Sequence, residues 1–279
     1  MMSPTIDKQE LFSKLHQLPS LPLIVQEVIA SFNDADMDTT SLTKKIAQDQ
    51  GLSAKVLRVA NSPFYGLPRK VGSIQEAITI LGFDCVRSLV LSASVAKTFA
   101  GAPNSTFDRL AYWQRCFRVA TYSKALASCL RVDQKMAFTA GMFYDIGLLV
   151  LDLCIPEQFA ALLQQQATSN LPLIEIEQAG LGFGHAEIGA EIIRRWNFPL
   201  EIEQVTRYWQ QPELQTTFVP LVCVVHVAAL LENGVNGDEL VAKLGATWCG
   251  RMQITWERIE ACLPPPEQLD AASSLAKSS

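Results

Sequence analysis

Ser73-Ile-Gln-Glu-Ala-Ile-Thr-Ile-Leu-Gly82, running on into Phe83-Asp-Cys-Val-Arg-Ser-Leu-Val-Leu-Ser-Ala-Ser-Val95, carries the marks of a helix from one end to the other. Ser73 and Glu76 make a capping box, in which the hydroxyl accepts from the backbone N–H three residues on and the Glu side chain reaches back. Ile74, Ala77, Ile78 and Leu81 then recur at i, i+3, i+4 and i+7, the period of one helix face, and Gly82 is the stop. The next segment, Val86 to Phe99, is apolar nearly all round through Leu89, Val90, Leu91 and Val95. A helix of that kind is surrounded by other helices, which places it at the centre of a first lobe.

Working outward, the same period recurs along the chain. Leu23 to Phe32 and Leu42 to Ala47 read as short amphipathic helices, the second with Thr39, Thr40 or Ser41 as its N-cap, and Leu52, Val56, Leu57 and Ala60 give a third. Asn61-Ser-Pro-Phe-Tyr-Gly66 is turn chemistry. Gly101-Ala-Pro-Asn-Ser105 is the expected junction between two lobes. Beyond it, Leu110, Trp113, Phe117 and Ala120 open a long helix, and single helices are expected over Lys135 to Leu153 and Pro156 to Gln166. Asn170-Leu-Pro172 and Gly180-Leu-Gly-Phe-Gly184 read as loops. Further helices are expected at His185 to Trp196, Ile202 to Trp209, Pro220 to Leu231, Asp238 to Leu244 and Thr255 to Cys262. No strand alternation appears, so the fold class is all-α.

The 279 residues suffice for one large or two modest cores. Nearly half are apolar and 18% are charged, a globular composition. The apolar run Phe218 to Leu231 falls short of the roughly 20 residues of a bilayer-spanning helix and reads as a core helix, and the first 18 residues lack a continuous hydrophobic region. A cytoplasmic protein without a membrane partner is the expectation. Seven scattered cysteines with no C-x-x-C pair read as buried thiols in a reducing compartment. The formal charge of −5 disfavours nucleic acid. That charge is uneven: Lys44, Lys45, Lys55, Arg58, Arg69, Lys70, Arg87 and Lys97 face only Asp49, Glu76 and Asp84 between residues 41 and 100, giving +5 there and −10 elsewhere. A solvated basic face is one account of this. The other is a surface for an acidic protein or an anionic messenger, with Lys44, Lys45, Lys55, Arg58, Arg69 and Lys70 as the contacts.

Leu18-Pro-Ser-Leu-Pro22, Ile46-Ala-Gln-Asp-Gln-Gly-Leu-Ser53, Val59-Ala-Asn-Ser62, Ser73-Ile-Gln-Glu-Ala77 and Leu81-Gly82 follow one another in an order that resembles the HDOD family, a signalling branch of the HD phosphohydrolases. Ala137-Phe-Thr-Ala-Gly141, Asp145-Ile-Gly147 and Gly184-His-Ala-Glu-Ile-Gly-Ala190, with Trp196 and Pro199, continue the resemblance over roughly residues 18 to 212. It implies an N-terminal helical lobe (18–100) packed on an HD-like helical bundle (106–212), found in bacterial signal transduction. Residues 1–17 would be an extension, 213–263 helices completing the HD-like lobe, and 264–279 a flexible tail.

An HD hydrolase needs several His and Asp side chains to grip a divalent metal whose bound water becomes the nucleophile. This chain has three histidines, His16, His185 and His226. Where HD enzymes carry the paired His-Asp, the resemblance places Tyr144-Asp145. An earlier His falls at Arg115, a permanent cation. The later His pair falls at Trp209-Gln210 and the final Asp at Ala229, so only Asp145 and His185 remain. The expectation is therefore a degenerate site without metal or cofactor, in which Arg115 takes the metal's place and pairs with Asp145. The function that follows is a non-enzymatic regulatory or scaffold module that binds a signalling protein or small anionic messenger across the lobe interface. The alternative is a metal-dependent phosphohydrolase acting on a nucleotide or other phosphoester, completed by unrecognised carboxylates.

Other features have bland expectations. His226 shares a helix face with Val222 and Leu230 and reads as a satisfied core residue, as does His185, on the buried side of its helix. Asn61 and Ser62 are expected to fix a turn, unless exposed Phe64 and Tyr65 mark a contact surface. Gly180 to Gly184 lacks the strand and Lys of a phosphate loop, and Cys116, beside Arg115 and Arg118, is a weak candidate nucleophile.

Overall fold

The computed structural model describes residues 11, 13–15, 21–32, 38–62, 65–98, 106–169 and 171–275. His16, Pro63, Phe64, the Gly101 to Ser105 junction and the ends of the chain lie outside them. Among the described residues there is no strand. The helices run α1 Leu23–Ala30, α2 Thr39–Gln48, α3 Gln50–Ala60, α4 Ile74–Leu81, α5 Phe83–Thr98, α6 Arg109–Leu130, α7 Gln134–Phe143, α8 Gly147–Cys154, α9 Pro156–Thr168, α10 Leu173–Leu181, α11 His185–Arg195, α12 Leu200–Tyr208, α13 Pro220–Glu232, α14 Gly237–Met252, α15 Trp256–Glu260 and α16 Pro266–Leu275.

The capping box behaves nearly as its sequence reads. Ser73 Oγ accepts from Glu76 N at 3.1 Å, while Glu76 Oε2 accepts from Gly72 N rather than Ser73 N, at 2.8 Å. Gly82 closes α4 at φ +86°, open only to glycine without strain. The cap of α2 is Asp38, one residue before the Thr39 to Ser41 expectation. Its Oδ1 accepts from Thr40 N and Ser41 N, a carboxylate being as good an acceptor there as a hydroxyl. The Asn61 side chain clasps the Val71 backbone at both ends, donating to its O at 2.9 Å and accepting from its N at 2.6 Å, which is the turn-fixing role.

Helix α5 is enclosed by α1, α3, α4 and α7, and Val86, Leu89, Val90, Leu91 and Val95 are all buried. The longest helix, α6, packs along α7, α13 and α16. Buried side chains from α1 to α15 form one continuous core. Ser88 on α5 and Thr139 on α7 share a buried hydrogen bond of 2.9 Å across its middle. The stretch 134–154 is long and apolar enough to cross a membrane, yet 89% of its most apolar window is buried within the molecule.

Three expectations are corrected. The single helix over Lys135 to Leu153 is two, broken at Tyr144, Asp145 and Ile146. The break lets Gly147 lie against α11, where a Cβ on Gly147 would overlap the His185 carbonyl and one on Gly189 would sit 2.9 Å from Gly147 N. Apolar period alone does not register such a crossing. The tail expected to be flexible from 264 contains α16, which lies on α6. The seven cysteines are not all thiols, because Cys129 in the last turn of α6 is bonded to Cys262. Chain proximity over 133 residues is invisible to spacing.

Candidate functional site

The turn between α7 and α8 points Asp145 inward, 3% exposed. α6 brings Arg115 to it and α11 brings His185, the first residue of that helix. Arg115 Nη2 donates to Asp145 Oδ2 at 2.9 Å, so the pair expected from sequence is present. Asp145 Oδ1 lies 3.1 Å from His185 Nε2, without the geometry of a hydrogen bond.

A residue that the sequence reading missed completes the set. Glu177 of α10, fully buried, accepts from both His185 Nδ1 at 2.7 Å and the His185 backbone N at 2.8 Å through one oxygen, Oε2. The α11 N-cap is Gly184, which has no side chain to accept that N–H, and a Cβ there would overlap Ile174. Glu177 supplies the cap from a neighbouring helix. Two signals were readable: the bare glycine cap, and a carboxylate at i+4 and i−4 from Leu173 and Leu181 on an apolar face.

Burial alone would lower the His185 pKa, but the nearby Asp145 charge and the hydrogen bond and charge of Glu177 outweigh it and raise it to about 10. The imidazole is therefore protonated at neutral pH, held between the Asp145 and Glu177 side chains, with Arg115 on the other Asp145 oxygen.

Tyr144 and Trp209 meet edge to face with ring centroids 4.6 Å apart. Burial holds the Tyr144 pKa well above the usual phenol value, against the pull of Arg115, so it stands as a neutral phenol. Trp209 also accepts from His226 Nδ1 through its carbonyl at 2.6 Å. His226, its pKa lowered by burial, is half-buried at a small cleft rather than enclosed in the core. Gln210 faces a small cleft with His226 and Leu230, and Ala229 is buried on α13. One turn along α6 from Arg115, Arg118 binds both Glu232 oxygens, joining α6 to α13. Cys116, fully buried, has its thiol pushed up to about 12 by desolvation and is no nucleophile.

The residues do not fit a divalent metal. Asp145 Oδ1 and His185 Nε2 lie side by side as two ligands of one centre would, and Glu177 holds the far imidazole nitrogen as outer carboxylates do in metal sites. Against that, Arg115 sits on the same Asp145 carboxylate, bringing a fixed positive charge where a cation would bind. Both imidazole nitrogens face carboxylates, and Tyr144 is a neutral phenol. Among the described residues no three His, Cys, Asp or Glu side chains are arranged to hold a metal ion.

The basic residues singled out from sequence do not gather at a cleft. Lys45 is paired with Glu27 at 2.7 Å and Arg69 with Glu76 at 2.5 Å. Lys44, Arg58 and Lys70 are exposed and Lys55 is half-buried. Arg87, counted in the basic segment, is buried over the Phe32 ring at 3.6 Å and paired with Asp84. A cleft of about 830 Å³ does lie between the two halves, lined instead by Tyr65, Cys85, Lys124, Lys135 and Phe138, with Pro264 and Gln268 at its edge. Tyr65 is half-buried and meets Cys85 Sγ at 3.1 Å, so it is no exposed contact residue.

The HDOD domain pattern matches residues 18–212, more than half of the sequence. The chain belongs to the HDOD family. Among solved structures, this HDOD chain is similar to a Shewanella amazonensis protein described as "Putative phosphohydrolase", with 25% identity, a TM-score of 0.78 and coverage of 95% of this chain and 97% of that one. A Geobacter sulfurreducens HDOD domain protein of unknown function shows the same fold at 21% identity and TM-score 0.72, covering 96% of this chain and 93% of its own. So does a Marinobacter aquaeolei "Putative signal transduction protein", at 23% identity and TM-score 0.78, covering 95% of this chain and 61% of its own. An uncharacterized Treponema pallidum protein is 24% identical over 229 residues, 81% of this HDOD chain, which spans only 44% of that curated relative's length.

Proposed function

We propose that this HDOD protein is a regulatory or scaffold module of bacterial signal transduction, working in the cytoplasm by binding a signalling protein or small anionic messenger rather than by turning over a substrate. One observation carries the reading: the Arg115 guanidinium bonds to Asp145 at 2.9 Å. On this reading Asp145 and His185 are what remains of an HD ligand set, and the resemblance assigns Arg115, Tyr144, Trp209, Gln210 and Ala229 to the positions of the lost ligands. An internal ion pair then does structurally what a metal does in the hydrolases, tying α6 to the α7–α8 turn and, through His185, to α10 and α11.

The alternative, a metal-dependent phosphohydrolase, draws on the name of the Shewanella protein, but fold similarity does not carry chemistry with it. Metal analysis of protein purified without chelator, run beside nucleotide turnover assays with added Mg²⁺ and Mn²⁺, separates the two. The expected result is substoichiometric metal and no turnover above blank. Stoichiometric metal together with turnover that is lost on Asp145→Asn overturns the reading.

A further inference from the structure

The C-terminal segment returns to the middle of the molecule. Cys129 and Cys262 are bonded with their Cα atoms 6.4 Å apart, and both are half-buried. A small thiol or disulfide can reach them, whereas Cys116 and Cys223 are enclosed. Beside the bond, the Arg258 guanidinium donates to the Cys129 carbonyl and to the carbonyls of Met252 at 3.2 Å and Gln253 at 2.9 Å. That clamp aligns α15 with the end of α6 independently of the sulfurs.

Two residues past Cys262 the chain becomes the edge of the cleft. Pro264 and then Gln268 of α16 stand opposite Tyr65, Cys85, Lys124 and Phe138. The start of this edge is lightly buried, since of residues 265 to 270 only Leu269 is half-buried and the others are exposed, although α16 also lies along α6. A segment with such exposed side chains opens locally at low cost unless something else restrains it. The bond at Cys262 is the restraint nearest to it.

We propose that Cys129 and Cys262 are a reversible dithiol–disulfide pair whose bond latches α16 over the cleft, so that the redox state of the pair governs access to it. The oxidant is a low-molecular-weight disulfide. One cysteine thiolate attacks a sulfur of that disulfide and releases one small thiol, giving a mixed disulfide. The second thiolate displaces the other small thiol as the protein S–S bond forms. The two electrons lost by the cysteines reduce the small disulfide, and their two protons end on the two released thiols. An excess of small thiol runs the exchange backwards. The latch is independent of the reading given to the Asp145 site.

The test uses the full chain, equilibrated in glutathione buffers from fully reducing to fully oxidising. Alkylation, digestion and mass spectrometry report the linkage, hydrogen exchange reports α16, and a timed alkylation pulse after glutathione removal reports Cys85 in the cleft. The expected result is a Cys129–Cys262 linked peptide that forms and disappears reversibly. Amide exchange over 266–275 and alkylation of Cys85 should each be at least tenfold faster in the reduced protein. Cys129→Ser and Cys262→Ser should show the fast rates in every buffer. Absence of the linked peptide from all buffers overturns the pair, and equal α16 exchange or equal Cys85 alkylation in the two states overturns the latch. Should one serine variant not fold, the other and the reduced native chain supply the open state.

Discussion

Asp145 is nearly sealed from solvent, and its charge is tolerated only because Arg115 and His185 flank it. Removing one partner from a buried pair leaves a charge without compensation. Arg115 is itself about one third exposed, which tempers the cost, so Arg115→Ala is expected to destabilise the protein by roughly 2–3 kcal/mol in urea denaturation. Combined with Asp145→Asn, the loss should be smaller than the sum of the single losses, and strict additivity would mean that the two side chains do not act together. His185 gives a pH signature. Its folded pKa, raised to about 10, lies above the value near 6.5 of a free imidazole, so the native state holds a proton that the unfolded state gives up. The stabilisation is complete below about pH 6.5 and is lost as pH climbs toward 10. Stability measured across that window should fall by at most about 1.4 kcal/mol per pH unit, and His185→Gln should flatten the slope.

At the scale of elements, the site exists because α8 and α11 meet backbone to backbone at Gly147 and Gly189. Gly147→Ala forces the His185 carbonyl to move and is expected to cost about 3 kcal/mol or more. Gly182→Ala, at φ +80° with open space around it, should cost only about 1 kcal/mol of backbone strain. Thermal denaturation of the two variants compares them, and equal losses would remove the special status of the crossing. Much of this level was legible in the sequence: the Ser73 to Gly82 helix, the enclosed α5 and the inward Asp145 all follow from cap chemistry and period. What was not legible has a common cause. The break at Tyr144 to Ile146, the Glu177 cap and the Cys129–Cys262 bond each depend on a segment distant in sequence, and a period measured along one helix says nothing of what crosses it. Leu173 to Leu181 is a short helix between two Gly- or Pro-marked loops, too brief for its period to stand out, and Glu177 lies on it.

For the molecule as a whole, the reading in lobes meets a core that runs without interruption from α1 to α15, with Ser88 and Thr139 bonded across it. Urea unfolding followed by tryptophan fluorescence and by far-ultraviolet circular dichroism is accordingly expected to give superimposable transitions. Two separated transitions would show that the halves melt independently. The contact at Gly147 and Gly189 has a further consequence. Because it is made by main-chain atoms, it is blind to which side chains fill the space beside it. Point substitutions at positions such as 115 and 144 can exchange one kind of internal glue for another while the chain path stays put. A lineage can thus wander between catalyst and scaffold by altering a few letters, without ever crossing an unfolded intermediate in its history.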